Sequence, residues 1–372
     1  MMSCGSPPIV VPSVYELVKE EITEIPDRYI RTSDLDHTDD STAKYNIPVD
    51  HSDDSIAKYN IPVIDVKGLL SGEPVSADSE LENLHSACQH WGFFQVVNHG
   101  ISSLITEKLK SEIQNFFELP VEEKRKLCQE PGNTEGFGQH FVVSDDQKLD
   151  WSDMFYITSL PTELRKPHLF AGIPLLLREA LEAYSLGLKN LNMILLGKMA
   201  KALKMDSDEM EDLFNDCSQR MKLSYYPPCP KSQQVLGMSP HSDAAALSIV
   251  LQLNETEGLQ IRKDGKWIPV KPIPGALVVN IGDMIEILSN GAYPSIEHRV
   301  MVNPTIERLS IATFHSINPD AEFGPALSLL NPPCKPALFR RQTVEKYYQN
   351  FFALKLNGKT NNLDFMRIDQ SS

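Results

Sequence analysis

The chain has no excess of basic residues, no CxxC pair and no long uninterrupted apolar run, and each of these gaps removes a class of function. Lysine and arginine number 35 against 50 aspartates and glutamates, for a formal net charge of -15. So acidic a chain presents no electrostatic footprint to a polyanion, which argues against nucleic acid and against an anionic membrane as partners. The six cysteines stand apart at Cys4, Cys88, Cys128, Cys217, Cys229 and Cys334. That scatter, in a chain this long, argues against a disulfide scaffold and for free thiols in a reducing compartment. The opening MMSCGSPPIVVPSVYELVKEE lacks a basic region and a long apolar core, so it does not read as a signal peptide. The longest apolar-rich stretch, residues 174–205, carries Arg178, Glu179, Lys189, Lys198 and Lys201, which exclude a membrane span. The expectation is a cytoplasmic monomer whose partner is a small-molecule substrate.

What is present is a composition suited to a sizeable core, at a length that fits one large domain with elaborations or two closely packed ones. One repeat stands out. Residues 36–49 are followed at once by a near-copy at 50–63, with Thr38 against Ser52 and Thr42 against Ile56 the only differences. Two short copies do not make a solenoid; this is a tandem duplication in a polar linker. The second copy runs into an apolar stretch that reads as a strand, whereas the first reads as a longer loop. Each copy holds a His-x-Asp string, His37 to Asp39 and His51 to Asp53. Their neighbours are polar, with no apolar strand to hold ligands rigidly, so neither reads as a metal site.

Ser79-Glu80-Leu81-Glu82 reads as a capping box, with Leu81, Leu84, Cys88 and Trp91 at helical spacing behind it and Gly92 as the stop. Residues 93–97 read as a strand turned by Asn98-His99-Gly100, 101–117 as an amphipathic helix, 133–138 as a glycine-containing loop and 174–205 as a long helix. From about Met221 the pattern changes. Short β-rich runs at 247–253, 259–261, 266–270, 276–281, 298–302 and 308–316 alternate with turn signals such as Asp264-Gly265 and Pro274-Gly275. Many short strands at this spacing predict a sandwich or barrel. A helical pattern returns at 343–354 and is expected outside the barrel.

Three clusters carry the chemistry: His241-Ser242-Asp243, His298 and Arg308-Leu309-Ser310. Residues at i and i+2 share a face of extended chain, so His241 and Asp243 can meet one metal. His298 would supply a third ligand from across the barrel. Two histidines and a carboxylate form a facial triad that leaves open positions on a ferrous ion. Arg308 and Ser310 also share a strand face, where a guanidinium and a hydroxyl can grip an acidic co-substrate. Singly, His241 reads better as a capped surface histidine, His298 as a satisfied core one and Arg308 as a surface ion-pairing residue. The combination points to oxygen activation at non-haem iron.

From Ile61-Pro62-Val63-Ile64-Asp65 onward the chain resembles the plant-type 2-oxoglutarate- and Fe(II)-dependent dioxygenases. The shared signatures are residues 91–100 (WGFFQVVNHG), 225–230 (YYPPCP), His241-Ser242-Asp243, Gly258-Leu259-Gln260, Asn280-Ile281-Gly282-Asp283, Ser295-Ile296-Glu297-His298-Arg299 and Arg308-Leu309-Ser310. The resemblance implies a mixed α and β fold, a double-stranded β-helix (jelly-roll) core flanked by N-terminal helices and a C-terminal helix. On that template residues 1–60 are an N-terminal extension, 61–216 a helical region, 217–320 the catalytic jelly roll and 321–372 a C-terminal helical segment. It implies that His241, Asp243 and His298 bind Fe(II). Arg308 and Ser310, helped by Tyr226, would bind the distal carboxylate of 2-oxoglutarate, with O2 as oxidant and ascorbate as reductant. Ser224 stands where the family usually has an asparagine that contacts the co-substrate, so that contact is either lost or bridged by water. The segments at 135–139, 147–151 and 164–167 are similar to alkaloid O-demethylases and norcoclaurine-synthase-like oxidases. This implies hydroxylation or O-demethylation of a bulky metabolite, an alkaloid or other aromatic, with Phe137, Phe155, Tyr293, Phe314, His315 and Leu330 as substrate contacts.

Two alternatives stay open on the sequence: a same-fold iron oxidase of a flavonoid, coumarin or hormone, and a non-catalytic small-molecule-binding jelly roll. Because the cost of closing a flexible loop grows only slowly with its length, deleting residues 36–49 should leave turnover and the unfolding midpoint unchanged. A large loss of turnover in that deletion would give the duplication a functional role.

Overall fold

The computed structural model describes residues 11–20, 22, 24–31, 60–130, 133–139, 142, 147–330, 335–353 and 363–368. The first duplicated copy, residues 50–59 of the second, and both linker His-x-Asp strings lie outside these residues.

Two sheets face each other. The larger runs β1 (Val63–Asp65), β2 (Phe93–Val97), β10 (Leu277–Ile281), β7 (Leu247–Gln252), β12 (Arg308–Ser316), β5 (Ser218–Tyr226), β4 (Asp153–Leu160) and β3 (Gly136–Gly138). The smaller runs β6 (Met238–His241), β11 (His298–Val300), β8 (Leu259–Lys263) and β9 (Lys266–Pro269). The outer face of the large sheet places Met221, Leu223, Leu247, Ile249, Leu309 and Ile311 in one apolar core with the helices. Its inner face joins Phe93, Tyr226 and Val278 to Leu259, Ile261 and Val300 of the small sheet in a second core. This is the expected jelly roll. Both faces of the large sheet are covered, so its strands do not show the clean in–out alternation of a half-exposed sheet.

The helices pack behind the large sheet. The long helix Leu175–Leu203 buries Leu177, Leu181, Tyr184, Leu188, Leu191 and Leu195, a stripe repeating every three or four residues. Helix Ser103–Glu118 packs against it through a face that buries Leu109, Ile113 and Phe116. Helix Pro74–His90 starts before the expected capping box, because a proline in the first turn needs no N–H partner and already has helical φ. It stops as expected. The N–H groups of Trp91 and Gly92 both reach Ala87 O, and Gly92 turns the chain at φ 60°. A Cβ there would lie 2.4 Å from Pro294 O.

Three expectations need correction. Residues 61–216 are not simply helical, since they supply β1 to β4 of the large sheet. The loop expected at 133–138 contains β3, paired with β4. The C-terminal helix Val344–Ala353 does not lie clear of the barrel but lines its cavity with Tyr348, Phe351 and Phe352.

The N-terminal helix Val14–Lys19 is strapped to β4 by one carboxylate. Asp153 accepts the Ser13 hydroxyl at 2.6 Å, the Val14 N–H at 2.8 Å and the Tyr15 N–H at 3.0 Å. Lys124, buried beneath, reaches Glu16 at 3.2 Å. Among the described residues no helix is long and apolar enough to cross a membrane.

Gly92→Ala should destabilise the protein by more than about 1 kcal/mol, because alanine meets both an unfavourable φ and a carbonyl oxygen. A lowered urea midpoint at unchanged slope checks this.

Candidate metal centre and co-substrate pocket

The centre forms where β6 ends and β11 begins. His241 and His298 are register partners in this antiparallel ladder, and Asp243 follows in the turn after β6. The third ligand therefore comes from the neighbouring strand of the same sheet, not from across the barrel as expected. Asp243 Oδ1 lies 3.5 Å from His241 Nε2 and 3.7 Å from His298 Nε2. The candidate ligand atoms all lie within 4.8 Å of one another.

Each ligand is oriented by a second bond. His241 Nδ1 meets Ser239 O at 2.8 Å and His298 Nδ1 meets Ile296 O at 3.1 Å. A carbonyl only accepts, so Nδ1 carries the proton on both rings and each Nε2 turns a lone pair to the centre. Asn280 on β10 donates to Asp243 Oδ2 at 2.8 Å, which leaves Oδ1 for the metal. The edge of Phe93 supports the His298 ring at a centroid distance of 5.2 Å. Burial, reinforced by His241, lowers the His298 pKa to about 4. Burial alone would raise the Asp243 pKa, but the neighbouring His298 and His241 outweigh it and hold the carboxyl well below its usual range. At neutral pH these directions give the ligand forms, a neutral imidazole at His298 and a carboxylate at Asp243. Two imidazole nitrogens and one carboxylate oxygen, gathered on one side, fit Fe(II) with positions left open.

A second site sits beside it on β12. Arg308 is opposite Tyr226 and Ser310 is opposite Ser224 on β5. The Arg308 guanidinium donates to Ser310 Oγ and to Gln252 Oε1, each at 3.2 Å, and lies 5.2 Å from the Tyr226 ring centroid. It is only 3 % exposed, its Nε has no partner, and no carboxylate among the described residues is within ion-pair distance. Burial pushes its pKa down, which marks the cost of an unmatched charge. A cation held this way is built for an incoming anion, and the distal carboxylate of 2-oxoglutarate fits it. Gly258 makes the room, since a Cβ there would lie 3.0 Å from Arg308 Cδ. Ser224 is buried on the same strand as Tyr226, two residues away and so on the same face.

A cavity opens from His241 and Asp243. It is walled by Tyr156, Phe314, Tyr348, Phe351 and Phe352, with Arg220, Lys222 and Met238 along one side. Of the expected substrate contacts only Phe314 faces it. Phe155 and His315 are one residue out of phase and turn to the helical side. Phe155 packs on Phe116 at 5.0 Å, and His315 Nε2 meets Gln219 Nε2 at 3.0 Å. Phe137, paired with Phe155, packs on Phe117 at 6.3 Å. Tyr293 is fully buried, with its hydroxyl 2.7 Å from His85 Nδ1. Leu330 closes the short turn Leu327–Leu329, apart from the cavity wall. Period-two alternation was the signal that could have found the right residues. With Arg308 and Ser310 inward, Phe314 and Ser316 follow; with Ser224 and Tyr226 inward, so do Lys222 and Arg220. Gln252 and Asn280 also went unassigned: Asn280 stands in a shared signature that does not announce its role, and no local pattern marks Gln252.

A facial triad beside a buried arginine that lacks an anion is the layout of a non-haem iron oxygenase with an acidic co-substrate. Residues 217–317 match the 2OG-Fe(II) oxygenase superfamily, and residues 61–172 match the N-terminal region described for non-haem dioxygenases in morphine synthesis. The chain is similar to Protein SRG1 of Arabidopsis thaliana, 53% identical over 97% of both chains. It is similar to codeine O-demethylase of Papaver somniferum, 48% identical over 96% of both. A third relative, oxoglutarate-dependent flavonoid 7-O-demethylase 1 of Ocimum basilicum, is 47% identical over 96% of this chain and 91% of its own. Among solved structures, JOX2 in complex with 2OG, Fe and JA superposes with a TM-score of 0.83 at 32% identity, over 96% of this chain and 98% of that one. The chain belongs to the 2-oxoglutarate- and Fe(II)-dependent oxygenases. It is an oxidoreductase whose cofactors are Fe(II) and 2-oxoglutarate.

Arg308→Gln should raise the half-saturating 2-oxoglutarate concentration roughly 30-fold or more, the effect of removing one partner of a buried charge pair. Anaerobic titrations with 2-oxoglutarate and with Fe(II) check it, the Fe(II) affinity staying at its wild-type value.

Proposed function

We propose that the enzyme hydroxylates or O-demethylates a bulky aromatic specialised metabolite, an alkaloid or another aromatic. Iron would sit on His241, Asp243 and His298, and the co-substrate on Arg308 and Ser310. The observation that carries this reading is the cavity itself: five aromatic rings stand against the ligands of one metal site. Flat rings stack on such walls and exclude water from the reacting carbon. The relatives named for codeine and for flavonoids support the same reading, since both names describe removal of a methyl group from oxygen.

When bound, iron and 2-oxoglutarate supply the oxidising power: O2 is consumed, 2-oxoglutarate becomes succinate and CO2, and a substrate carbon is hydroxylated. At a methoxy carbon the product is a hemiacetal, which collapses to a hydroxyl compound and formaldehyde. The chain's own part is positional. The triad fixes where oxidation occurs, Arg308 anchors the far end of the co-substrate, and the rings set which substrate carbon approaches. Ser224 offers a hydroxyl beside the co-substrate pocket in place of the family's amide. We propose that it works as a cytoplasmic monomer on a small molecule; the acidic composition disfavours nucleic acid and anionic membrane as partners.

Fe(II) reconstitution under anaerobic conditions, followed by O2 and a panel of methoxylated alkaloids, flavonoids and phenolics, tests the proposal. A product lighter by one CH2, with formaldehyde and an equivalent of succinate, is the O-demethylation outcome. A product heavier by one oxygen is hydroxylation. Product formed without succinate would overturn the reading.

A further inference from the structure

We infer that Arg220 and Lys222 form an anion-recognition subsite on the cavity wall, so that the aromatic substrate carries a carboxylate or phenolate rather than a protonated amine. This narrows the proposed function and rests on it.

The argument starts from β5. Arg220, Lys222, Ser224 and Tyr226 alternate to the inner face of the strand. The last two lie beside the co-substrate pocket, while Arg220 and Lys222 reach the substrate cavity. Lys222 is 7 % exposed, and its Nζ meets Met238 Sδ at 3.1 Å. A thioether is a weak acceptor and carries no compensating charge. The Arg220 guanidinium lies against tyrosines: Tyr156 hydrogen-bonds it, and the Tyr348 ring centroid is 5.7 Å away. Among the described residues no carboxylate lies within ion-pair distance of either cation, and Asp243, the one acid lining the cavity, faces the metal.

Charge balance then decides. With the site loaded, the ferrous ion, Asp243, Arg308 and a doubly charged co-substrate cancel. Glu135 also acts on Arg220, but from outside the cavity lining and while held by Lys166 at 3.6 Å; Arg220 and Lys222 remain as the two cations among the aromatic walls. An oxyanion on the substrate offsets a desolvated cation, whereas a substrate ammonium adds a third like charge. Like-charge juxtaposition is unfavourable and is a recognised device for rejecting the wrong partner.

The test uses the anaerobic complex of the full chain with Fe(II) and 2-oxoglutarate, which cannot turn over, and ligand-observed NMR with 4-methoxybenzoate and 4-methoxybenzylamine. The benzoate is expected to bind at least about 10-fold more tightly, a difference of about 1.4 kcal/mol. Arg220→Gln and Lys222→Met should each shrink that preference, with Arg220→Lys retaining it and 2-oxoglutarate affinity unchanged throughout. Binding of 4-nitrophenolate that depends on Arg220 would extend the subsite to phenolates; its failure to bind would confine the subsite to carboxylates. A benzoate that does not bind, binds no more tightly than the amine, or keeps its preference in both charge-removing variants would sink the proposal. So would a Lys222→Met protein whose main defect is 2-oxoglutarate binding. Turnover separates this from the wider reading. Demethylation of amine-bearing and carboxylate-bearing aryl ethers at equal rates removes the subsite alone. A benzoate preference with no succinate-coupled product from any aromatic removes the proposed reaction alone.

Discussion

The pairing of β12 along both of its edges is the constraint on which the site depends. β5 follows it from Arg308 to Ser316 and β7 from Ser310 to His315, so the strand cannot slide without breaking two ladders. A slip of one residue would turn every side chain to the other face. Leu309, Ile311 and His315 would enter the cavity, and Arg308, Ser310 and Phe314 would be driven into the helical core. One register thus sets the co-substrate anchor, its hydroxyl partner and one wall of the substrate cavity. The helices that cover the outer face are what make the wrong register so costly.

Burial then fixes the chemistry of what the register places. In water, the triad histidines and aspartate would exchange protons and sample many orientations. Here Ser239 and Ile296 carbonyls select one tautomer for each imidazole, Asn280 occupies one carboxylate oxygen, and low polarity keeps His298 neutral. The same low polarity makes Arg308 demanding, since a buried guanidinium with no protein carboxylate against it favours an anionic partner. Opposite consequences of one environment therefore prepare the two halves of the site: a cluster short of a cation and a cation short of an anion.

The parts of this arrangement that were legible in the sequence are those that local chemistry announces. His241, Asp243, His298, Arg308 and Ser310 stand in short motifs, and the strand read at 308–316 coincides with β12 because its flanks carry clear turn signals. What failed to show was set by tertiary context. β4 and β5 are buried on both faces, so their mixed polar and apolar residues display no strong period. The short helix Asp283–Leu288 buries every residue and so has no polar face to betray it. The phase of His315 could have been deduced from alternation along β12, since neighbours on a strand face opposite ways; that of Phe155 could not, because β4 itself was not legible. The place of helix Val344–Ala353 could not, because an amphipathic pattern tells that a face is buried but not against what.

The strap between Ser13 and Asp153 has a consequence for how the chain comes to its native state. The residues it joins are 140 apart in sequence. Asp153 takes its place only when β4 has paired with β5, where it lies opposite Tyr225. Helix Val14–Lys19 therefore leaves the ribosome well before β4 and β5, yet its strap to Asp153 closes only when residues to 225 have been made and the large sheet has begun to assemble. Until then a carboxylate destined for burial stays in water, and the sheet edge where it belongs stays open. A helix made early is thus a late-closing latch, and its docking reports that the sheet behind it has been built.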